Sequence, residues 1–149
     1  MITKAFMKRS IYIIVACITL AACELETSNN GKLDGNWQLR QIDTLSTGGT
    51  TDMSHSYIYW AVENHLLQVR DIDDSNLTIF FQFEKAGSQL TIQSPYKVVT
   101  KDQLEAIEDE ETLRPFGIVG LQDTFQFEEL NGKALTLKNQ FYRLHFRRY

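Results

Sequence analysis

From residue 36 to residue 148, apolar side chains recur at every second position in short runs separated by turn residues. That period fits a pleated strand with one buried face. An amphipathic helix would repeat every three to four residues instead. The runs fall at 36–43, 57–63, 66–72, 77–84, 89–94, 124–129, 134–138 and 141–148, so eight strands are expected. Asn64-His65, the polar run 73–76 and Ala86-Gly87-Ser88 read as tight turns. Asn131-Gly132 suits the positive φ angles of a type I′ hairpin. Residues 46–56, holding Gly48-Gly49, read as a polar, flexible loop. The alternation breaks at 100–113. There Thr100 and Gln103 fit a capping box, and Leu104 and Ile107 stand at helical spacing. A short helix is expected between the fifth and sixth strands. It ends by Leu113, because Pro115 disfavours helical geometry in the residue before it.

One apolar face per strand must be buried by a second sheet or by closure of a single one. Eight strands suffice for a closed barrel, which removes edge strands and leaves room for side chains or one small ligand. The expected fold is an all-β, eight-stranded antiparallel up-and-down barrel. Alternation alone leaves a two-sheet sandwich open.

The first 22 residues carry different information. Lys8-Arg9 precedes the apolar run 11–20, which is too short for the roughly 20 residues of a spanning helix. Met7 stands where an initiator would, as an alternative to Met1. The run closes in Leu20-Ala21-Ala22-Cys23, which resembles the lipobox of bacterial lipoproteins. The resemblance implies cleavage before Cys23 and acylation of that cysteine. Two or three acyl chains suffice for stable membrane anchoring, where one does not. The expected organisation is a signal peptide over 1–22, an acylated cysteine with a flexible tether over 23–33, and a barrel domain over 34–149. Glu24 follows the cysteine in place of the aspartate that resembles an inner-membrane retention signal, so an outer-membrane location is expected, on either face.

Processing would remove Cys17 and engage Cys23, the chain's two cysteines, leaving no disulfide for the domain. Loss of Lys4, Lys8 and Arg9 takes Lys+Arg from 15 to 12 against 19 acids, a net charge near −7. An acidic domain without a basic cluster is a poor nucleic-acid ligand, since that affinity rests on neutralising phosphates.

Gly35-Asn36-Trp37 at the start of the first strand resembles the Gly-x-Trp opening of lipocalins and related calycins. With eight strands, the lipobox-like segment and the ending 141–149, the chain resembles the lipocalin-like lipoproteins of Bacteroidota, a family largely of unknown function. The resemblance implies that Trp37 plugs the closed end of a barrel while a basic residue near the last strand packs across it. Arg143, Arg147 and Arg148 are all candidates. Typical lipocalins carry their helix after the eighth strand, a departure from the placement expected here.

The residues then offer two binding modes. An apolar or amphipathic small molecule could occupy the interior, lined by Trp60, Val69, Phe81, Ile92, Phe127 and Leu144. Alternatively, large inward side chains fill the barrel, and the outer surface binds an envelope protein or glycan. Tyr57 and Tyr59 form a candidate aromatic contact, and Phe80 faces away from its apolar neighbours. His55, His65 and His145 share no metal-ligand spacing, and the acidic run 108–111 lacks the pattern of a calcium loop. No nucleophile elbow, phosphate-binding loop or zinc-protease motif occurs in the sequence. Neither an enzyme nor a cofactor is expected. Asn76-Leu77-Thr78 fits a glycan acceptor but reads more simply as a turn, and Asp43-Thr44-Leu45 resembles a short O-glycosylation motif of Bacteroidota.

Overall fold

A computed structural model describes residues 28–73 and 75–149. The signal-like segment, Cys23 and tether residues 24–27 lie outside the described residues. Among the described residues, ten strands form one antiparallel sheet: β1 (Gly35–Thr44), β2 (Gly49–Asp52), β3 (Ile58–Glu63), β4 (Leu66–Asp71), β5 (Thr78–Ala86), β6 (Gln89–Thr100), β7 (Gln103–Ala106), β8 (Gln122–Leu130), β9 (Ala134–Lys138) and β10 (Tyr142–Arg148). Eight of them pair in the cycle β1-β3-β4-β5-β6-β8-β9-β10. The last pairs with the first, from Trp37 opposite Arg148 to Thr44 opposite Tyr142. The sheet is a closed eight-stranded barrel, not a sandwich.

The remaining two strands are flaps. β2 pairs with the second half of β1 (Gln41 to Thr44), while β3 takes its first half. This strand replaces part of the loop expected over 46–56. Its Gly-Thr-Thr-Asp residues are exposed throughout, so no alternation marks them. β7 pairs with the second half of β6, whose first half pairs with β8.

The expected helix start is therefore a hairpin. Thr100 pairs with Gln103 across a tight turn, and the polar pair that resembles a capping box flanks Lys101-Asp102 instead. Leu104 and Ile107 stand three apart, an odd separation that separates side chains in extended backbone. Leu104 is exposed and Ile107 is buried. The helical residues follow β7 as two consecutive 3-10 turns, Glu110–Thr112 and Arg114–Phe116. Asp109 caps the first by accepting from the Glu111 amide at 3.0 Å.

The Asn131 hairpin also differs from expectation. Positive φ occurs at neither Asn131 nor Gly132. Instead Asn131 Oδ1 accepts from the amides of Lys133 and Ala134 at 2.8 and 2.9 Å, an Asx-type turn. By contrast Asn64, in the β3–β4 hairpin, does take a positive φ of 53°.

A bulge in β6 positions the groove described below. Phe80 opposes Tyr96 but Gln82 opposes Gln93, so β6 carries one extra residue. Ser94 sits there at φ 55° and Pro95 is buried. Bulges bend their strand, and here the second half of β6 leaves β8 to meet β7.

Candidate functional site

The core is continuous from one end of the barrel to the other. At the closed end, Trp37 is buried and donates from Nε1 to the Leu33 carbonyl at 2.8 Å. The Arg148 guanidinium lies 4.3 Å from the Trp37 ring centre. It donates to the carbonyls of Asp34 and Lys32 at 2.9 and 2.6 Å. Of the three arginine candidates, Arg148 packs across the tryptophan. Gly35 makes room for it: its φ is 125°, and a β-carbon there would lie 2.3 Å from Arg148 Nη1.

Five of the six expected interior residues meet in the core. Trp60, Val69, Phe81, Ile92 and Leu144 are each no more than 1% exposed. Trp60 packs edge-on against Phe125 at a centroid distance of 5.8 Å and tilted against Phe146 at 5.0 Å. Phe127 is only partly buried against this cluster, with Lys85 Nζ 5.9 Å from its ring centre.

The opposite mouth is closed by a segment that alternation did not reveal. Between β7 and β8, Leu113, Phe116 and Ile118 enter the core. Gly117, at φ 76°, permits the approach, since a β-carbon there would lie 2.3 Å from Leu144 Cδ2. Asn139, itself buried, donates to the Gly117 carbonyl at 3.0 Å and to Asp123 at 2.8 Å. The Asp123 carboxylate also accepts from the Val119 amide at 3.0 Å. Burial pushes the Asp123 carboxyl above its ordinary value, and these hydrogen bonds oppose that shift. One sequence signal was available: apolar residues flanking Pro115 and Gly117 where no helix period continues.

The outer wall has two contrasting sides. On β1 and β10 the side chains form a polar ladder. His145 Nε2 lies 2.7 Å from Asp43 Oδ2, while Gln41 and Thr50 donate to Asp43 Oδ1 at 2.7 and 3.1 Å. The His145 hydrogen bond, ahead of the others, holds the Asp43 carboxyl below its ordinary value. Arg143 grips Glu128 of β8 in a two-pronged pair and lowers that carboxyl too. Arg147 donates to Gln38 at 3.2 Å. The expected aromatic contact does not form as a pair. Tyr57 is exposed, but Tyr59 is buried against Tyr149 at a 5.0 Å centroid distance. Among the described residues, no three His, Cys, Asp or Glu side chains cluster as metal ligands.

The lipocalin-like domain model matches residues 18–149. The chain belongs to the lipocalin-like domain family. The barrel is similar to a crystallised lipocalin-like protein from Bacteroides uniformis, with a TM-score of 0.62 and 20% identity over 80% of this chain and all of that one. It is also similar to an uncharacterized protein from Bacteroides eggerthii, with a TM-score of 0.58 and 19% identity over 78% of this chain and 98% of that one. At these identities the two structures speak for the fold alone. None of the curated proteins matches this chain.

Proposed function

We propose that this lipocalin-like protein is a lipid-anchored envelope binding module with a filled barrel, which meets a protein or glycan partner through its outer wall. The observation that carries the reading is the identity of what fills the interior. The residues expected to line a pocket pack on Phe125, Phe146 and the inserted Leu113, Phe116 and Ile118 as one buried cluster. Grooves of about 300–430 Å³ lie along the outer wall and the rims of the barrel, with the core residues Phe81 and Val62 contributing to two of them. The polar ladder on β1 and β10 offers charge-assisted contacts to a partner, and its fixed ion pairs hold those groups in place. The lipobox-like Cys23 supports anchoring, and membership of the lipocalin-like family supports a binding rather than an enzymatic role.

One observation favours interior binding as a second reading. The Trp60 indole N–H is buried without a hydrogen-bond partner, so an apolar ligand bearing one acceptor would satisfy it. Such a ligand would have to displace the mouth segment. Native mass spectrometry of the domain taken from the bacterial envelope separates the two. The filled-barrel reading expects the mass of the polypeptide and its modifications alone. A stoichiometric retained small molecule, removed by Trp60→Phe, would overturn it.

A further inference from the structure

The side of the barrel built from β4, β5, β6 and β7 is unlike the polar ladder. Alternation sends Leu67, Val69, Ile79 and Phe81 inward and leaves Leu66 and Phe80 on the outer face. Phe80 pairs with Tyr96, and the β6–β7 flap adds Leu104 alongside. Leu66, Tyr96 and Leu104 are 51%, 42% and 57% exposed. Together with Phe80, Gln82, Ser94 and the core residue Phe81 they line a groove of about 300 Å³ in which no lining side chain is charged. In a chain with a net negative charge, that is an unusual stretch of wall.

The groove continues toward the point where the chain leaves the domain. A second groove shares Leu66 and Phe80 with it and extends to Ala61, Glu63 and Asn64. A third shares those last three residues and ends at Ser28. Ser28 is fixed there: it accepts from the Asn30 amide, and Asn30 in turn donates to the Asn64 carbonyl at 2.8 Å. Cys23 stands five residues earlier, a reach of at most about 18 Å for an extended chain.

We infer that this wall is a membrane-contact surface, on which the anchored domain lies against the lipid bilayer through Leu66, Phe80, Tyr96 and Leu104. The inference rests on the anchoring reading. A short tether leaving from the end of the groove holds it beside the bilayer at a high effective concentration, so modest apolar contact suffices to orient the domain. Leucine and phenylalanine enter the acyl boundary, while tyrosine suits the headgroup level, where its ring is buried and its hydroxyl stays wet. β5 and β10 are four places apart in the eight-membered cycle. Lying on the apolar wall therefore turns the polar ladder away from the membrane and toward a partner.

The test uses the full chain, produced with its own leader, purified and placed in phosphatidylethanolamine–phosphatidylglycerol vesicles. After processing, Leu104→Cys supplies one free thiol for an environment-sensitive fluorophore, and Thr51→Cys on the far wall supplies the control. The inference expects a blue shift and quenching by spin-labelled lipid at position 104, neither at position 51, and loss of both at 104 when Leu66 and Tyr96 are replaced by aspartate. Equal accessibility at both positions, with Cys23 shown to be acylated by mass, would overturn this inference alone. An unacylated Cys23 would overturn the anchoring reading and this one with it. Shielding of position 104 in envelope fragments but not in vesicles would assign the wall to a protein partner and overturn it too.

Discussion

Gly35 and Trp37 show what a single residue can reveal in a sequence. A glycine two positions before a tryptophan marks the closed end of the barrel, and the structure supplies the reason, since only glycine leaves room for Arg148 over the indole. The partner arginine was not legible, because Arg143, Arg147 and Arg148 are equivalent until the β1–β10 register places Trp37 opposite Arg148. Asp43 illustrates another limit: its alternation shows a strand residue, but only the register brings it to His145, 102 positions away. Its carboxyl titrates below its unfolded value, so it contributes stability above the unfolded pKa of about 3.9, and that contribution disappears as pH falls through the lower folded value. Asp43→Asn is expected to cost about 1 kcal/mol at pH 7, a figure reduced for partial exposure. Denaturant midpoints across pH 2–7 check this: the gap between variant and wild type should narrow in acid, and a constant gap would contradict the assignment.

Among the elements, all eight barrel strands were legible from apolar residues at every second position, as Ile58, Trp60 and Val62 stand in β3, although β6 runs past the expected 89–94 to Thr100. The two flaps were not. β2 and β7 are exposed throughout, and Leu104 with Ile107, which lies just past β7, stands at a helical spacing that extended backbone splits onto opposite sides. The mouth segment was missed for a further reason. Leu113, Phe116 and Ile118 reach the core through 3-10 turns and a left-handed glycine, which have no extended periodic signature. Their burial makes the segment part of the core. Phe116→Ala should therefore cost about 3–5 kcal/mol in chemical denaturation, the range of a buried aromatic truncation. A cost below about 1 kcal/mol would show the segment to be dispensable for stability and weaken the filled-barrel account.

At the scale of the molecule, alternation could not choose between sandwich and barrel. The choice lies in the β1–β10 pairing, which joins residues 98 to 111 positions apart. Interior residues were legible as a set, yet whether they line a pocket or fill one depends on a segment outside the repeating pattern. Anchoring through Cys23 is the other proposal at this scale: Cys23→Ala is expected to release the protein from membranes or leave an uncut precursor, read by fractionation and mass, and a processed, membrane-bound variant would contradict anchoring. The central claim is that the mouth segment is integral to a packed interior. Native-state hydrogen exchange at the Gly117, Ile118 and Val119 amides tests it most directly. The account predicts opening free energies within about 1 kcal/mol of those of the β1–β10 seam, as for parts of one cooperative unit. Exchange through an independent, much cheaper opening would contradict it and make the segment a gate.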